Sequence, residues 1–227
     1  MSGPSHRRAL LAGATGLVGR EILRSLLADD AVDEVHVLGR RDPGLVHLKL
    51  TVHVVDFRRL PSLAPVDEVY LALGTTIRAA GSRQAFRAVD LESTLAVAKA
   101  GVSAGARRVA LVSAVSADAR SRIFYNRVKG ELEDALARLP LDALVIARPS
   151  LLLGDRAVLK QPVRIAEKLA IRVSRVLEPV LPIDYRPVDA AAVARALLVT
   201  LPAARGTVVL SSGELARIGG QGAKELA

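Results

Sequence analysis

Gly13-Ala14-Thr15-Gly16-Leu17-Val18-Gly19 decides how this chain is read. Before it runs Arg8-Ala9-Leu10-Leu11-Ala12, a short apolar strand candidate. After it, Leu17, Val18, Ile22, Leu23, Leu26 and Leu27 recur at helical spacing. The glycines therefore sit at a strand-to-helix turn. Such a turn suits a dinucleotide: it bends tightly, lets the backbone approach a pyrophosphate, and aims a helix N-terminus at the anion. A glycine-rich heptad alone is a weak signal, and its place between strand and helix gives it weight.

The rest of the chain continues the alternation. Strands are predicted at Glu34 to Leu38, Val52 to Val55, Glu68 to Leu73, Arg108 to Ser113 and Leu141 to Ala147. Helices are predicted over Arg83 to Ala104 and Phe124 to Leu139. Pro61 and Pro65 make the connection Phe57 to Asp67 a short helix or turn, not a full crossover helix. Alternation of this kind predicts an α/β fold with a doubly wound, mostly parallel sheet, a Rossmann fold. After Arg148-Pro149 the pattern weakens to helices at Val163 to Val180 and Val188 to Leu201 and a last strand at Thr207 to Leu210. Residues 1–227 thus read as one dinucleotide-binding domain, with 150–187 and 211–227 added to cover a substrate. The tail from Gly219 reads as loose.

Composition narrows the function classes. Over 227 residues, 51% are apolar and 3% aromatic, so a sizeable core must be built from Leu, Val, Ile and Ala. With no Cys there is no disulfide framework, which fits a reducing, cytoplasmic setting. The four histidines, His6, His36, His47 and His53, show no metal-ligand spacing. A formal charge of +9 would suit nucleic acid, but the basic residues are scattered and few aromatics exist to stack on bases. Arg7-Arg8 before an apolar run imitates an export leader, yet that run carries Gly13, Gly16 and Gly19. No segment approaches about 18 uninterrupted apolar residues, so no membrane span is predicted.

Tyr125 and Lys129 are four residues apart on a predicted helix and share one face. A phenol is an idle acid near pH 7, and a neighbouring ammonium with a cationic nicotinamide lowers its pKa. Tyr125 could then exchange a proton with a hydroxyl or carbonyl. Ser113, at the C-terminal end of the fifth strand, can hydrogen-bond the same substrate oxygen, and Ser116 competes for that role. The second strand ends in Gly39-Arg40-Arg41, where NAD-binding turns usually place an acid for the ribose 2′-hydroxyl. Two guanidinium groups suit a 2′-phosphate, which predicts NADP(H), with NAD the alternative.

These residues together resemble an atypical short-chain dehydrogenase/reductase, from Leu10 to about Leu210. The resemblance is carried by Gly13-x-x-Gly16-x-x-Gly19, Leu73-Gly74-Thr75-Thr76, Leu111-Val112-Ser113, Tyr125-x-x-x-Lys129 and Arg148-Pro149. Within the superfamily the chain is most similar to the Tat-interacting-protein-like oxidoreductases, through Gly39-Arg40-Arg41, Leu-Gly-Thr-Thr, Val89-Asp90, Lys129-Gly130-Glu131 and Asp155-Arg156. The resemblance implies Tyr125 as acid/base, Lys129 as tuner of Tyr125 and holder of the nicotinamide ribose, and Ser113 as polariser of the substrate oxygen. It implies a cofactor site at Gly13, Thr15, Gly16, Leu17, Val18, Gly19, Arg40, Arg41, Asp56, Phe57, Leu73, Gly74, Thr75, Thr76, Tyr125, Lys129 and Pro149. Asp90 stands where many members have an Asn that serves a water-mediated proton relay, which puts that relay in question.

The function these features imply is an NADP(H)-dependent oxidoreductase acting on a small carbonyl or hydroxyl substrate. A non-catalytic NADP(H) sensor or a protein-interaction module on the same fold is the alternative, and monomer and homodimer both fit. Arg78, Arg83, Arg120, Arg122, Arg156 and Lys160 fall on segments expected to wall the site, against Asp118 and Asp155. That excess predicts a substrate carrying a carboxylate or phosphate.

Overall fold

The computed structural model describes residues 6–154 and 182–225, the side chains of 222–225 excepted. Asp155, Arg156, Lys160 and the helix expected over Val163 to Val180 lie outside the described residues. Seven strands form one sheet: β1 (Arg7–Ala12), β2 (Val32–Gly39), β3 (Leu50–Val54), β4 (Glu68–Leu71), β5 (Arg108–Val112), β6 (Ala143–Arg148) and β9 (Gly206–Ser211). Their order is β3-β2-β1-β4-β5-β6-β9, and every neighbouring pair is parallel. The chain runs outward from β1 to β3 and then restarts at β4 on the other side of β1. The carboxyl ends of β1 and β4 therefore flank a crevice, where open α/β sheets bind ligands.

Alternation along β1 shows how the sheet acquires two cores. Ala9 and Leu11 point into one, with Val18, Ile22, Leu23 and Leu26 of α1 (Leu17–Ala28). Leu10 and Ala12 point into the other, with Phe86, Val97, Val128 and Leu132. Strands covered on both faces read as unbroken apolar runs, as Ala9-Leu10-Leu11-Ala12 does. The second core is closed by α2 (Ile77–Ala80), α3 (Arg83–Arg87), α4 (Thr94–Ser103) and α5 (Phe124–Ala137). The first is completed by α6 (Ala190–Thr200) and by Leu215 of α7 (Ser212–Glu225). Two-residue strands β7 (Leu152–Leu153) and β8 (Val188–Asp189) pair separately.

Three expectations change. The helix expected over Arg83 to Ala104 is interrupted by a π turn, Ala88–Ser93, between α3 and α4. Ser93 Oγ donates to the Ala88 carbonyl at 2.7 Å and Thr94 Oγ1 to that of Val89 at 3.1 Å, so hydroxyls five residues on bind carbonyls of the widened turn. The helix expected from Val188 begins only at Ala190, because Asp189 caps it by accepting from the Ala191 N–H at 2.7 Å. The tail from Gly219 is not loose but part of α7. A Cβ at Gly219 would lie 2.1 Å from the Ala192 carbonyl oxygen, so glycine lets α7 lie directly on α6. Arg195 Nε donates to the Gly219 carbonyl at 2.6 Å and fastens the contact.

The buried ionic groups at the other end of the sheet lie away from the crevice. Glu68, at the start of β4, accepts from Tyr70 Oη at 3.0 Å and pairs with Arg7 at the start of β1 at 3.2 Å. Burial first, then the Glu68 charge, pushes the Tyr70 phenol well above its ordinary range.

Candidate active site

The crevice begins at Gly13, whose φ of +97° follows directly on β1. A Cβ there would fall 2.3 Å from the Ala72 carbonyl oxygen, so glycine lets this turn touch the strand end opposite. Gly19 does the same work from inside α1: a Cβ would sit 2.1 Å from the Gly13 carbonyl oxygen. Gly16 differs. Its backbone is extended, at φ −83° and ψ 171°, which any residue adopts, and a Cβ would come no nearer than 3.3 Å to the Gly13 oxygen. The fold therefore requires glycine at 13 and 19 and barely at 16.

What the missing side chain at Gly16 leaves is room at the mouth of α1. That helix has no side-chain cap and no acidic residue in its first turn, so its leading N–H groups and dipole are free to meet an anion. Arg40 and Arg41 follow β2 on the same edge, both exposed, and neither pairs with an acid among the described residues. Asp56 and Phe57 follow β3. Asp56 is exposed and accepts from the Arg58 N–H at 3.0 Å, and Phe57 packs partly into the second core. Leu73, Gly74, Thr75 and Thr76 follow β4. Pro149 follows β6 and is buried, its carbonyl accepting from the Val115 N–H at 2.9 Å. Thr15, Leu17 and Val18 complete the turn. An open helix mouth, a glycine with little packing reason, and unpaired guanidinium groups at the end of β2 fit a phosphate-bearing dinucleotide.

Helix α5 carries the reactive side chains. Tyr125 is half-buried, its ring 5.4 Å from that of the fully buried Phe86. One turn on, Lys129 is buried and its Nζ lies 2.7 Å from Asp90 Oδ1. Asp90 is wholly buried within the π turn, and its other oxygen accepts from the Thr75 N–H at 2.9 Å. Lys129 and Asp90 form a buried ion pair whose attraction is coulombic first, with a hydrogen bond adding to it. Burial lowers the Lys129 pKa, but Asp90, then Tyr125 and Glu133, outweigh it, and the net direction is upward. Lys129 is therefore held as an ammonium. Asp90 thus joins the segment after β4 to the helix that carries Tyr125.

Ser113 directly follows β5. Its hydroxyl is buried and donates to Glu133 of α5, which also receives Nε of Arg148 at 3.2 Å and Nη2 of the same side chain. The Glu133 hydrogen bond, opposed by burial, raises the Arg148 guanidinium further. Ser116 is exposed and has φ +62°; among the described residues no other non-glycine has positive φ. The Ala117 N–H donates to the Ala114 carbonyl at 3.2 Å, so Ser116 sits third in a tight turn, where glycine is usual. Tyr125 and Lys129 thus share one face of α5, Lys129 pairs with Asp90, and Ser113 shares Glu133 with Arg148. The roles of Glu133 and Arg148 were missed in the sequence. The signal for Glu133 was its position, one turn beyond Lys129 on the same face.

A family model described as the NAD dependent epimerase/dehydratase family matches residues 9–123. Protein fmp52, mitochondrial, of Emericella nidulans is 38% identical over 156 residues, 64% of this chain and 67% of that protein. Protein FMP52-2, mitochondrial, of Scheffersomyces stipitis is 33% identical over 175 residues, 74% of each chain. Among solved structures, MoeE5 in complex with UDP-glucose and NAD superposes with a TM-score of 0.66 at 18% identity, covering 94% of this chain and 81% of its own. A short-chain dehydrogenase/reductase superfamily protein from Agrobacterium tumefaciens with bound NAD gives 0.66 at 17% identity, covering 90% and 77%. The cytoplasmic setting expected from the missing cysteines is overturned by these relatives, which are named as mitochondrial proteins. Among the described residues no helix is long and apolar enough to cross a membrane. The glycine turn after β1, the strand order around it, the family model and relatives alike over 64% and 74% of the sequence agree: the chain belongs to the NAD dependent epimerase/dehydratase family, within the short-chain dehydrogenase/reductase superfamily.

Proposed function

We propose that the chain is an NADP(H)-dependent oxidoreductase that interconverts a small carbonyl compound and its alcohol. The observation that carries the reading is Tyr125 and Lys129 on one face of α5, with Lys129 fixed by Asp90 beside the segment after β4. Gly13, Gly16, Gly19 and the mouth of α1 would hold the pyrophosphate, Lys129 the nicotinamide ribose, and Arg40 with Arg41 a 2′-phosphate. A bound reduced nicotinamide would supply the hydride, and Tyr125 Oη would give its proton to the substrate oxygen as the C=O π pair passes to it. Solvent then returns a proton to the phenolate. Ser116 serves as the second hydroxyl on the substrate oxygen, because Ser113 already donates to Glu133. Residues 1–227 would act as one dinucleotide-binding unit.

The substrate would carry a carboxylate or phosphate. Arg83 lies over the Phe124 ring at 5.4 Å, and Arg78, Arg120 and Arg122 are exposed on the segments after β4 and β5. NADPH oxidation with a panel of anionic and neutral carbonyl compounds tests the reading. Turnover of an anionic member, lost in Tyr125→Phe and lowered in Ser116→Ala more than in Ser113→Ala, is the expected result. Tight NADPH binding with no turnover of any member would refute it.

A further inference from the structure

We infer that Asp90 is a positioning residue that offsets the charge of Lys129 and so keeps Tyr125 a proton donor at neutral pH. The inference rests on the proposed role of Tyr125 and deepens it by naming the residue that sets its protonation.

A lysine beside a tyrosine favours the phenolate only by the net positive charge it presents. Here that charge has a partner of opposite sign at 2.7 Å, and both side chains are buried from water, at 5% and 0% exposure. Seen from Tyr125, the pair is close to a dipole, and its field falls off faster than that of a lone ammonium. An asparagine at position 90 would accept from Thr75 equally well and leave the ammonium uncompensated. The other groups nearby do not reverse this. On the same helix, Glu133 is itself engaged by Arg148 and Ser113. Glu131 pairs with Arg87 and Arg127. From α3, the Phe86 ring meets Tyr125, and Arg83 reaches only to Phe124 beside it from an exposed position. The π turn explains why the carboxylate is so near: its extra residue per turn brings Asp90 inward against both the β4 segment and α5. A phenol that keeps its proton is the working form for delivering one to a carbonyl oxygen. Alcohol oxidation needs the phenolate.

The chain has three tyrosines, Tyr70, Tyr125 and Tyr185, so 13C labelling at the tyrosine ζ carbon gives a spectrum simple enough to titrate without cofactor. The Tyr125 signal is identified by its loss in Tyr125→Phe. In Asp90→Asn the titration midpoint of Tyr125 should move to lower pH by about one to two units, the effect of one uncompensated charge at close range. In Asp90→Asn, Lys129→Gln the midpoint should move back up towards the wild-type value. An Asp90→Asn midpoint that is unchanged or raised would overturn the inference. If that variant does not fold, Asp90→Ser is titrated in its place under the same criterion, and a wild-type midpoint near pH 7 overturns the inference with no variant at all. Because the titration reads the protein alone, it is independent of whether any carbonyl substrate is turned over. Failure of the proposed activity and failure of this inference are therefore separate results.

Discussion

Gly16 and Gly19 occupy one turn and should fail in opposite ways when a methyl group is added. At Gly19 the new Cβ would stand 2.1 Å from the Gly13 oxygen and 2.7 Å from its carbon, where ordinary contact begins at 3.4 Å. Both neighbours are backbone, so α1 must withdraw by over an ångström. It cannot do so freely, since Val18, Ile22, Leu23, Leu26 and Leu27 are packed into the core behind it. Overpacking of this kind costs about 1–3 kcal/mol, or roughly 2–12 °C in Tm for a chain of this length. At Gly16 the nearest atom would be 3.3 Å away and the backbone is extended, so Gly16→Ala should cost less than about 1 kcal/mol. Its methyl group would instead occupy room at the mouth of α1. Thermal denaturation with and without NADPH separates the two. At a concentration of about 100 times Kd, the wild-type protein gains about 2.7 kcal/mol by linkage, a rise of roughly 5–11 °C. Gly16→Ala should melt near wild type without ligand and lose most of that rise. Gly19→Ala should melt low from the start. A Gly16→Ala protein with the full NADPH response would refute the assignment of this turn to a pyrophosphate.

Three further outcomes follow from particular contacts. Replacing Arg40 and Arg41 together by Ala should weaken NADPH about 10- to 100-fold, the worth of charge-assisted hydrogen bonds, and leave NADH unchanged, as calorimetric titration of both cofactors will show. Ser116→Gly should raise stability by about 1 kcal/mol by relieving a left-handed conformation, seen as a higher urea midpoint, while lowering turnover if the hydroxyl meets the substrate. Burial and then the neighbouring His36 lower the His53 pKa, so the folded state binds fewer protons there than the unfolded chain. Stability should therefore fall as pH drops below about 6.5, and urea midpoints for His53→Gln between pH 7.5 and 5 should fall less than for wild type.

Much of this architecture could be read in the sequence because it is written in local patterns. Ala9-Leu10-Leu11-Ala12 is apolar on both faces because it is the central strand, and the helical spacing from Leu17 shows which side of α1 meets it. The doubly wound, parallel character of the sheet follows from the alternation of strands and helices, whereas the restart at β4 is seen only in the strand order. What stayed hidden depends on contacts between distant segments. Helix α7 contains Gly213, Gly219 and Gly220, which by propensity argue for a loose tail, and only the approach to Ala192 on α6 explains Gly219. The π turn leaves no mark on apolar periodicity, since it shifts register within a run that stays helical on either side.

The serine shows the same limit at the scale of one side chain. Ser113 stands at a strand end twelve residues before Tyr125, which made it the natural partner. Sequence spacing places a residue near a crevice but does not say where its hydroxyl points. Glu133 settles that: a carboxylate at 5% exposure needs donors, and Ser113 and Arg148 are the two at hand. Removing one donor from a buried carboxylate leaves it undersatisfied, so Ser113 is accounted for by the packing of α5 against β5 and β6 without any substrate. Ser116 has no such account, because the turn would be easier with glycine. A side chain kept at a conformational cost, exposed at the carboxyl end of a sheet, is better explained by what it touches outside the fold than by anything inside it.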